Sequence, residues 1–304
     1  MPSAATTGSR YTADTVPTAL IALDFDPLLH LVAGIVVRWE AVAIAAVIIA
    51  ALVVAGLMAR RASLRADDLL FIAVGVVPGA VIGGRIGYAL LHLDYYAAQP
   101  GVLLDPGRGG FELSLAVVGG VLSGLTVATL LEVPVGRWMH LAALPVLFVL
   151  GAGKLAMLLG GAGQGQPATL SWATAFLGPG PWASLAPALP SHPSQAYEGF
   201  ATLALALVLG LVLAARSSTV RDGRVLLGAL ALWALARAVV TLTWRDPAVV
   251  WELNAGTLIA IGVAIGFAVA FLVVASRGLG DTDDADASDD TLTSWPDPAD
   301  RPDV

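Results

Sequence analysis

The chain contains no cysteine among its 304 residues, and its four histidines are far apart. The missing thiols exclude disulfides, cysteine nucleophiles and cysteine metal sites. The sequences HExxH and GxSxG are absent too, which argues against a zinc hydrolase and a serine hydrolase. A seven-helix photoreceptor needs a lysine in its last helix, but the only lysine, Lys154, precedes three of the long apolar runs. We therefore predict neither a metal nor a cofactor.

Charged residues are scarce, at 13% of the chain, whereas hydrophobic residues make up 57% and the mean hydropathy is +0.81. This composition excludes an ordinary soluble domain and indicates an all-α integral membrane protein, with no nucleic-acid partner. Nine of the 23 acidic residues follow Arg277, so the net charge of -7 describes mainly the C-terminus. We predict a flexible N-terminus (1–23), a membrane domain (24–276) and a disordered acidic cytoplasmic tail (277–304).

Seven apolar runs have the roughly 20 residues that a helix needs to cross a bilayer. They are residues 39–59, 68–92, 113–131, 138–160, 197–215, 224–243 and 254–275. The preceding segment, 19–37, is interrupted by Asp24, Asp26, Pro27 and His30, so we predict an amphipathic segment along the membrane interface. Basic residues concentrate in alternate loops, which predicts an outside N-terminus and a cytoplasmic C-terminus. These residues are Arg60, Arg61, Arg65, Arg137, Arg216, Arg221, Arg224 and Arg277.

Small residues recur along the second run, where Gly75, Gly79, Gly83 and Gly87 are spaced four residues apart. Helices in a membrane associate through close backbone approach, so this spacing predicts a smooth face for a neighbouring helix.

Three basic residues lie in the interior of the predicted spans, away from their ends: Arg85, Lys154 and Arg237. An intramembrane cation costs several kcal/mol unless it is paired, hydrated or able to reach the headgroups. Counted from the cytoplasmic ends of their runs, the three lie about 24, 24 and 20 Å deep, all in the outer half. Any one of these cations, taken alone, could extend its side chain toward the lipid headgroups without forming part of a site. Their shared depth favours a site for an anion such as a phospholipid phosphate.

The segment SHPSQAYE, residues 191–198, stands directly before the fifth apolar run. Pro193 favours the first turn of a helix, and His192 or Ser194 can cap that turn, so the segment also fits a simple helix start. Unpaired backbone N–H groups there attract an anion. We therefore predict that the segment forms the outer lip of the same site and brings Glu198 to the cations.

Several segments resemble those of a known family, the bacterial prolipoprotein diacylglyceryl transferases. HPSQAYE at 192–198 is similar to the family's HPSQLYE, and GAVIGGRIGYALLH at 79–92 is similar to its GGRxGY helix. Further matches are RWEA at 38–41, GG at 119–120, WATAF at 172–176, and Arg237 for the arginine of the penultimate helix.

The resemblance implies transfer of the diacylglyceryl group of phosphatidylglycerol to the lipobox cysteine of a prolipoprotein signal peptide. It implies a place in the lipid bilayer of a bacterial cytoplasmic membrane, with the active site toward the outer leaflet. It also implies roles for particular residues. The catalytic ones are Arg237, His192 and Glu198, and the lipid-binding ones are Arg85, Lys154, Arg237, Tyr88, Gln195 and Tyr197.

The chain departs from the family pattern within the same motifs. Its GKLAMLLGG segment has Lys154 for an arginine, Met157 for an asparagine and Gly161 near the place of an acid. Val118 replaces a histidine, Thr241 a glutamate and Glu40 a tyrosine, and a second arginine is either lost as Trp244 or shifted to Arg245.

Two interpretations stay open at this point. One is a divergent working transferase, in which His192 or Glu198 takes the thiol proton. The other is a catalytically degenerate paralogue that binds anionic lipid or serves as a membrane assembly subunit. An anion transporter would be expected to show paired halves, and no internal repeat is present.

Overall fold

A computed structural model describes residues 21–105, 109–215 and 222–292. Seven of its helices are long and apolar enough to cross a membrane. They are α1 (Trp39–Arg61), α2 (Ala66–Leu91), α4 (Leu113–Leu130), α5 (Val135–Ala156), α6 (Ser194–Ala215), α7 (Arg224–Thr241) and α8 (Ala255–Leu292), with a short α3 (Leu93–Ala98) after α2. A 3₁₀ turn, Met157–Leu159, prolongs α5. The membrane-spanning parts of α5 and α8 are Val135–Leu159 and Ala255–Arg277. The seven predicted runs are thereby confirmed, with each end of a span within three residues of its prediction. The chain is an all-α integral membrane protein.

The apolar helices differ in how much of their surface other parts of the protein cover. In the most apolar stretches of α1 and α2, 11% of the residues are buried, whereas in α7 the share is 56%. Large apolar side chains such as Phe71, Val74 and Leu207 are exposed, as expected for residues that face lipid. Helix α7 is the most enclosed of the spans, and it carries Arg237.

The amphipathic segment before α1 forms strands. Strand β1 (Ile21–Leu23) pairs in parallel with β4 (Thr174–Phe176), and β2 (Leu28–His30) pairs antiparallel with β3 (Val36–Arg38). The Asp26 carboxylate accepts a hydrogen bond from the Leu28 N–H at 2.9 Å, which fixes the turn into β2. Of the residues that interrupt the apolar pattern, Asp26 thus stabilises a turn and His30 lies in β2, and the segment's place at the interface stays a prediction. A third pair joins β5 (Ala248–Val250) to β6 (Leu253–Asn254).

The C-terminal helix continues into the acidic segment. Helix α8 runs to Leu292, whereas the sequence predicted a disordered tail from residue 277; residues 293–304 and most of the predicted flexible N-terminus lie outside the described residues. A helix that is already formed needs no new nucleus to add turns, which explains how residues with weak helix preference extend it.

The chain divides into two compact units. The first contains residues 21–51, 148–204 and 236–257, with the strands and the long loop between α5 and α6. The second contains residues 52–147, 205–235 and 258–292, with helices α2, α3 and α4.

Helices α2 and α4 make a close backbone contact within the second unit. A Cβ at Gly79 would overlap the carbonyl oxygen of Gly119 and the side chain of Ser123, and one at Gly83 would overlap the Leu115 carbonyl. The Ser123 hydroxyl also donates to a carbonyl of α2 at 3.2 Å. The predicted smooth face is thus confirmed, and α4 is the helix that packs on it.

Candidate functional site

Two cations share one buried carboxylate in the first unit. The Glu198 carboxylate lies 3.1 Å from Lys154 Nζ and 2.5 Å from Arg237 Nη1. The side chains of Glu198 and Arg237 are each 2% exposed, and that of Lys154 is 10% exposed. Ionised, the three groups carry a net charge of +1. Buried charges are stable only when paired, and here one carboxylate pairs with two cations. The remaining positive charge favours an anion beside the cluster.

The cluster joins three helices near their ends. Lys154 lies in the last turn of α5, Glu198 in the second turn of α6 and Arg237 one turn before the end of α7. Both cations contact the same carboxylate, so the fold brings Lys154 and Arg237 together, and the predicted depth of the cations in the membrane stays a prediction. The Thr202 hydroxyl donates to the Glu198 carbonyl at 2.7 Å and strengthens this part of α6.

The Trp244 ring contacts both cations, and we call it the aromatic floor of the cluster. Its ring centroid lies 4.8 Å from the Arg237 guanidinium carbon and 5.7 Å from Lys154 Nζ. Both distances are within the range of a cation–π interaction. In the sequence Trp244 was noted only as a position where a family arginine is either lost or shifted to Arg245. An apolar tryptophan after a span gave no signal of this role, which depends on the turn after α7.

The start of α6 is held by the loops around it. The Ser194 hydroxyl lies 2.6 Å from the Thr243 hydroxyl, and a Cβ at Gly165 would overlap both Ser194 and the backbone of Thr243. Gln195 is 1% exposed, and within the described part of the chain neither polar atom of its side chain has a hydrogen-bond partner. It precedes Glu198 by three residues, so both side chains lie on the same face of α6.

His192 and Tyr197 contact each other at the same helix start. His192 Nδ1 lies 3.3 Å from the Tyr197 hydroxyl, which also accepts a hydrogen bond from Trp172 Nε1 at 2.7 Å. Trp172 is exposed and His192 is partly buried. These three side chains form a polar chain that leads from the surface to the first turn of α6.

Arg85 and Tyr88 belong to the second unit. The Arg85 guanidinium donates to the carbonyls of Val102, Leu103, Asp105 and Gly110, at 2.7 to 3.4 Å. The Tyr88 ring stacks on His92 at 4.2 Å between centroids. In the described contacts Arg85 orders the carbonyls that follow α3. The sequence grouped Arg85 with the two cations of the cluster, and its lipid-binding role stays a prediction.

Arg245 organises the loop between α5 and α6. It donates to the Gly165 carbonyl at 2.6 Å, to Gln164 Oε1 at 3.0 Å and to the Ser191 hydroxyl at 2.9 Å. Burial lowers the pKa of the Arg245 guanidinium below its ordinary value, although an arginine stays positive in a protein. Arg245 thus fastens the loop that carries the HPSQ segment.

Two departures from the family pattern have identifiable neighbours. The Thr241 hydroxyl lies 2.9 Å from the Thr257 hydroxyl, and Asn254 donates to the Thr241 carbonyl at 2.6 Å. A Cβ added at Gly163 would lie 3.6 Å from Met157 Cε and 3.5 Å from Gln195 Cβ, so Met157 and Gln195 lie on either side of one small residue. A neutral hydrogen-bonded network therefore stands where the family has a glutamate. Among the described residues no group of three His, Cys, Asp or Glu side chains could hold a metal ion.

Comparisons with known proteins agree with this architecture. The family model described as prolipoprotein diacylglyceryl transferase matches residues 27–274. A relative from Nostoc sp., named phosphatidylglycerol–prolipoprotein diacylglyceryl transferase, is 26% identical over 88% of this chain and 96% of its own length. Relatives with the same name from Rhodopseudomonas palustris and Clostridioides difficile are 27% and 21% identical, over 84% and 83% of this chain and 92% and 96% of their own lengths. The family match covers six spans in full and the seventh as far as residue 274, and the chain therefore belongs to the prolipoprotein diacylglyceryl transferase family.

Proposed function

We propose that this chain is a phosphatidylglycerol–prolipoprotein diacylglyceryl transferase of a bacterial cytoplasmic membrane. The observation that carries the proposal is the buried Lys154–Glu198–Arg237 cluster, with its net positive charge, in a chain of this family. The N-terminus lies outside, the C-terminus is cytoplasmic and the cluster lies toward the outer leaflet, as the distribution of arginines indicates.

The proposed reaction moves negative charge onto a leaving phosphate. The sulfur of the lipobox cysteine forms a bond to the terminal glyceryl carbon of the diacylglyceryl group. The bond from that carbon to the phosphate oxygen breaks, and glycerol phosphate leaves with the electron pair. Cations held in a buried site stabilise the charge that develops on the phosphate. Arg237 offers a planar guanidinium for two phosphate oxygens, and Lys154 adds a point charge.

The thiol proton needs an acceptor, and the contacts favour His192 over Glu198. Both carboxylate oxygens of Glu198 face a cation at 3.1 Å or less, which makes this group a poor proton acceptor. Imidazole is the usual general base near neutral pH, and the described contact of His192 involves Nδ1 and the Tyr197 hydroxyl. We assign proton transfer to His192, and we assign Glu198 the role of holding the two cations together.

The other predicted lipid-binding residues take different places in this scheme. Tyr197 and Gln195 lie on the first turn of α6 but on different faces of the helix, and each is proposed to contact the lipid headgroup from its own side. Arg85 and Tyr88 belong to the second unit, and their lipid-binding role is proposed from the family resemblance alone.

The test is intact-mass analysis of a reporter prolipoprotein. Cells depleted of their own transferase would produce this chain or its Arg237→Ala variant. A diacylglyceryl increment on the lipobox cysteine that disappears in the variant is expected. No increment from a folded, membrane-inserted protein would refute the activity. That outcome would favour the degenerate paralogue, for which the replacements at Lys154, Met157 and Thr241 are the supporting observation.

A further inference from the structure

Gln195 carries an amide that the described part of the chain leaves without a hydrogen-bond partner. Its side chain is 1% exposed, and both Nε2 and Oε1 are inaccessible to solvent. A buried donor or acceptor without a partner loses its hydration and gains nothing in return, so folded proteins contain few of them. Two such atoms on one side chain point to a bound partner that supplies both a donor and an acceptor.

A second buried glutamine shows how this fold pairs an amide that serves only structure. Gln164 Nε2 donates to the carbonyls of Thr174 and Leu189, both at 3.1 Å. Its Oε1 accepts from the Ser184 hydroxyl at 2.5 Å and from Arg245 at 3.0 Å. Gln164 is 8% exposed and its amide is fully paired, so the two glutamines form a natural comparison within one unit.

Gln195 stands beside the cation cluster. It lies one helical turn before Glu198 on the same face of α6, and Glu198 contacts both Lys154 and Arg237. Gly163 packs against it, and a Cβ there would lie 3.5 Å from the Gln195 Cβ. A ligand whose phosphate reaches the cations is therefore within a few atoms of the Gln195 side of α6.

The chemistry of an amide selects among headgroups. A phosphate oxygen only accepts hydrogen bonds and an ammonium group only donates them, so neither pairs both ends of the amide. An ammonium is also repelled by the net positive cluster. A hydroxyl both donates and accepts, and two neighbouring hydroxyls pair both Oε1 and Nε2.

We propose that Gln195 recognises the hydroxyl groups of the lipid headgroup while Lys154 and Arg237 hold the phosphate. Gln195 is then the residue that selects a phospholipid with a polyol headgroup. This inference rests on the proposed function, because it assigns a second contact in the same site.

The experiment compares two lipids that differ only in these hydroxyls. Full-length protein in detergent would receive an equal mixture of phosphatidylglycerol and phosphatidylpropanol, and native mass spectrometry would measure the ratio of the two bound lipids. Two hydrogen bonds of about 1 kcal/mol each correspond to a preference of about 30-fold for phosphatidylglycerol. The nearly isosteric Gln195→Met variant is expected to bring the ratio close to one. Its thermal midpoint without lipid is expected to stay the same or rise, because an unpaired buried amide is removed.

Gln164→Met is the matched control, since it removes an amide of the same size from the same unit. It is expected to lower the thermal midpoint and to keep the lipid ratio. If it does not fold, Ser184→Ala removes a single bond to the same amide and serves instead. An unchanged ratio in Gln195→Met would overturn the proposal, and so would equal binding of the two lipids by the unaltered protein. Weaker binding of a lipobox peptide at an unchanged lipid ratio would overturn it in favour of a peptide contact.

The binding ratio does not depend on turnover. Selective binding without transfer would therefore refute the proposed activity and leave the role of Gln195 intact. Transfer without headgroup selectivity would support the proposed activity and refute the role of Gln195.

Discussion

Replacing Glu198 with glutamine tests the charge balance of the cluster. The change keeps the shape of the side chain and leaves Lys154 and Arg237 buried without their shared carboxylate, so the net charge rises from +1 to +2. Removing one partner from a buried ion pair costs about 3–5 kcal/mol, whereas an exposed pair is worth about 0–1 kcal/mol. The distances of 2.5 and 3.1 Å and the near-complete burial place Glu198 in the first class. A loss of this size lowers the thermal midpoint on the order of 10 °C.

The assay is thermal unfolding of full-length protein in neutral detergent, with and without an anionic phospholipid. In detergent alone, the thermal midpoint of Glu198→Gln is expected to be lower than that of the unaltered protein. Anionic lipid is expected to raise the midpoint of the variant by more degrees than it raises that of the unaltered protein. A ligand at 100 times its Kd stabilises by about 2.7 kcal/mol, so the restoration is measurable.

Glu40→Gln is the control, because the Glu40 carboxylate faces only Arg38 among its described contacts, at 3.6 Å, and both side chains are more exposed. The same midpoint loss in both variants would refute the reasoning. So would a lipid effect in Glu198→Gln no larger than that in the unaltered protein.

Three further predictions concern activity, lipid binding and helix packing. Arg237→Ala is expected to lower transfer to the reporter at least about 100-fold, as loss of a charge-stabilising donor does. Arg245→Ala is expected to keep transfer but to lower the thermal midpoint, and equal activity losses would contradict this. Trp244→Leu is expected to weaken binding of anionic lipid about five-fold, the size of a cation–π contact of about 1 kcal/mol. Trp244→Phe should retain most of the affinity, and a loss as large as that in the leucine variant would count against an aromatic floor. Gly79→Ala is expected to destabilise by about 1–3 kcal/mol through overlap with α4, measured by the thermal midpoint. At Gly262 an added Cβ would meet no neighbouring part of the described chain within 4 Å, so Gly262→Ala is expected to be neutral or stabilising. Similar thermal midpoints in the Gly79→Ala and Gly262→Ala variants would contradict the close contact between α2 and α4.

Much of the fold follows from one-dimensional features of the sequence. The length of an apolar run decides whether a helix can cross a bilayer, so the seven spans were predictable. The four-residue spacing from Gly75 to Gly87 predicted a tightly packed face, but it could not name α4 as the partner. The strands of residues 21–38 were missed, because β1 pairs with a strand about 150 residues away and only the folded chain brings them together.

The candidate site was predictable in part. An isolated cation in an apolar run has few stable environments, so Lys154 and Arg237 were identified, and Glu198 was expected near them, although as a candidate base and not as the carboxylate that both cations share. Trp244 and the fully paired Gln164 gave no signal, because their roles depend on loop geometry. The sequence also does not show that the Gln164 amide is hydrogen-bonded and the Gln195 amide is not. It shows only that Gln164 lies in a polar loop and Gln195 at the start of a helix.

The shared carboxylate of Glu198 also constrains how the chain enters the membrane. During synthesis α5 emerges first and brings Lys154, a single positive charge, into the bilayer. The arrival of α6 supplies Glu198 and makes the α5–α6 hairpin electrically neutral at that depth. Helix α7 then adds Arg237, which pairs with the second carboxylate oxygen of Glu198. The order of the three charges along the chain thus lets each added helix change the charge of this cluster by one unit.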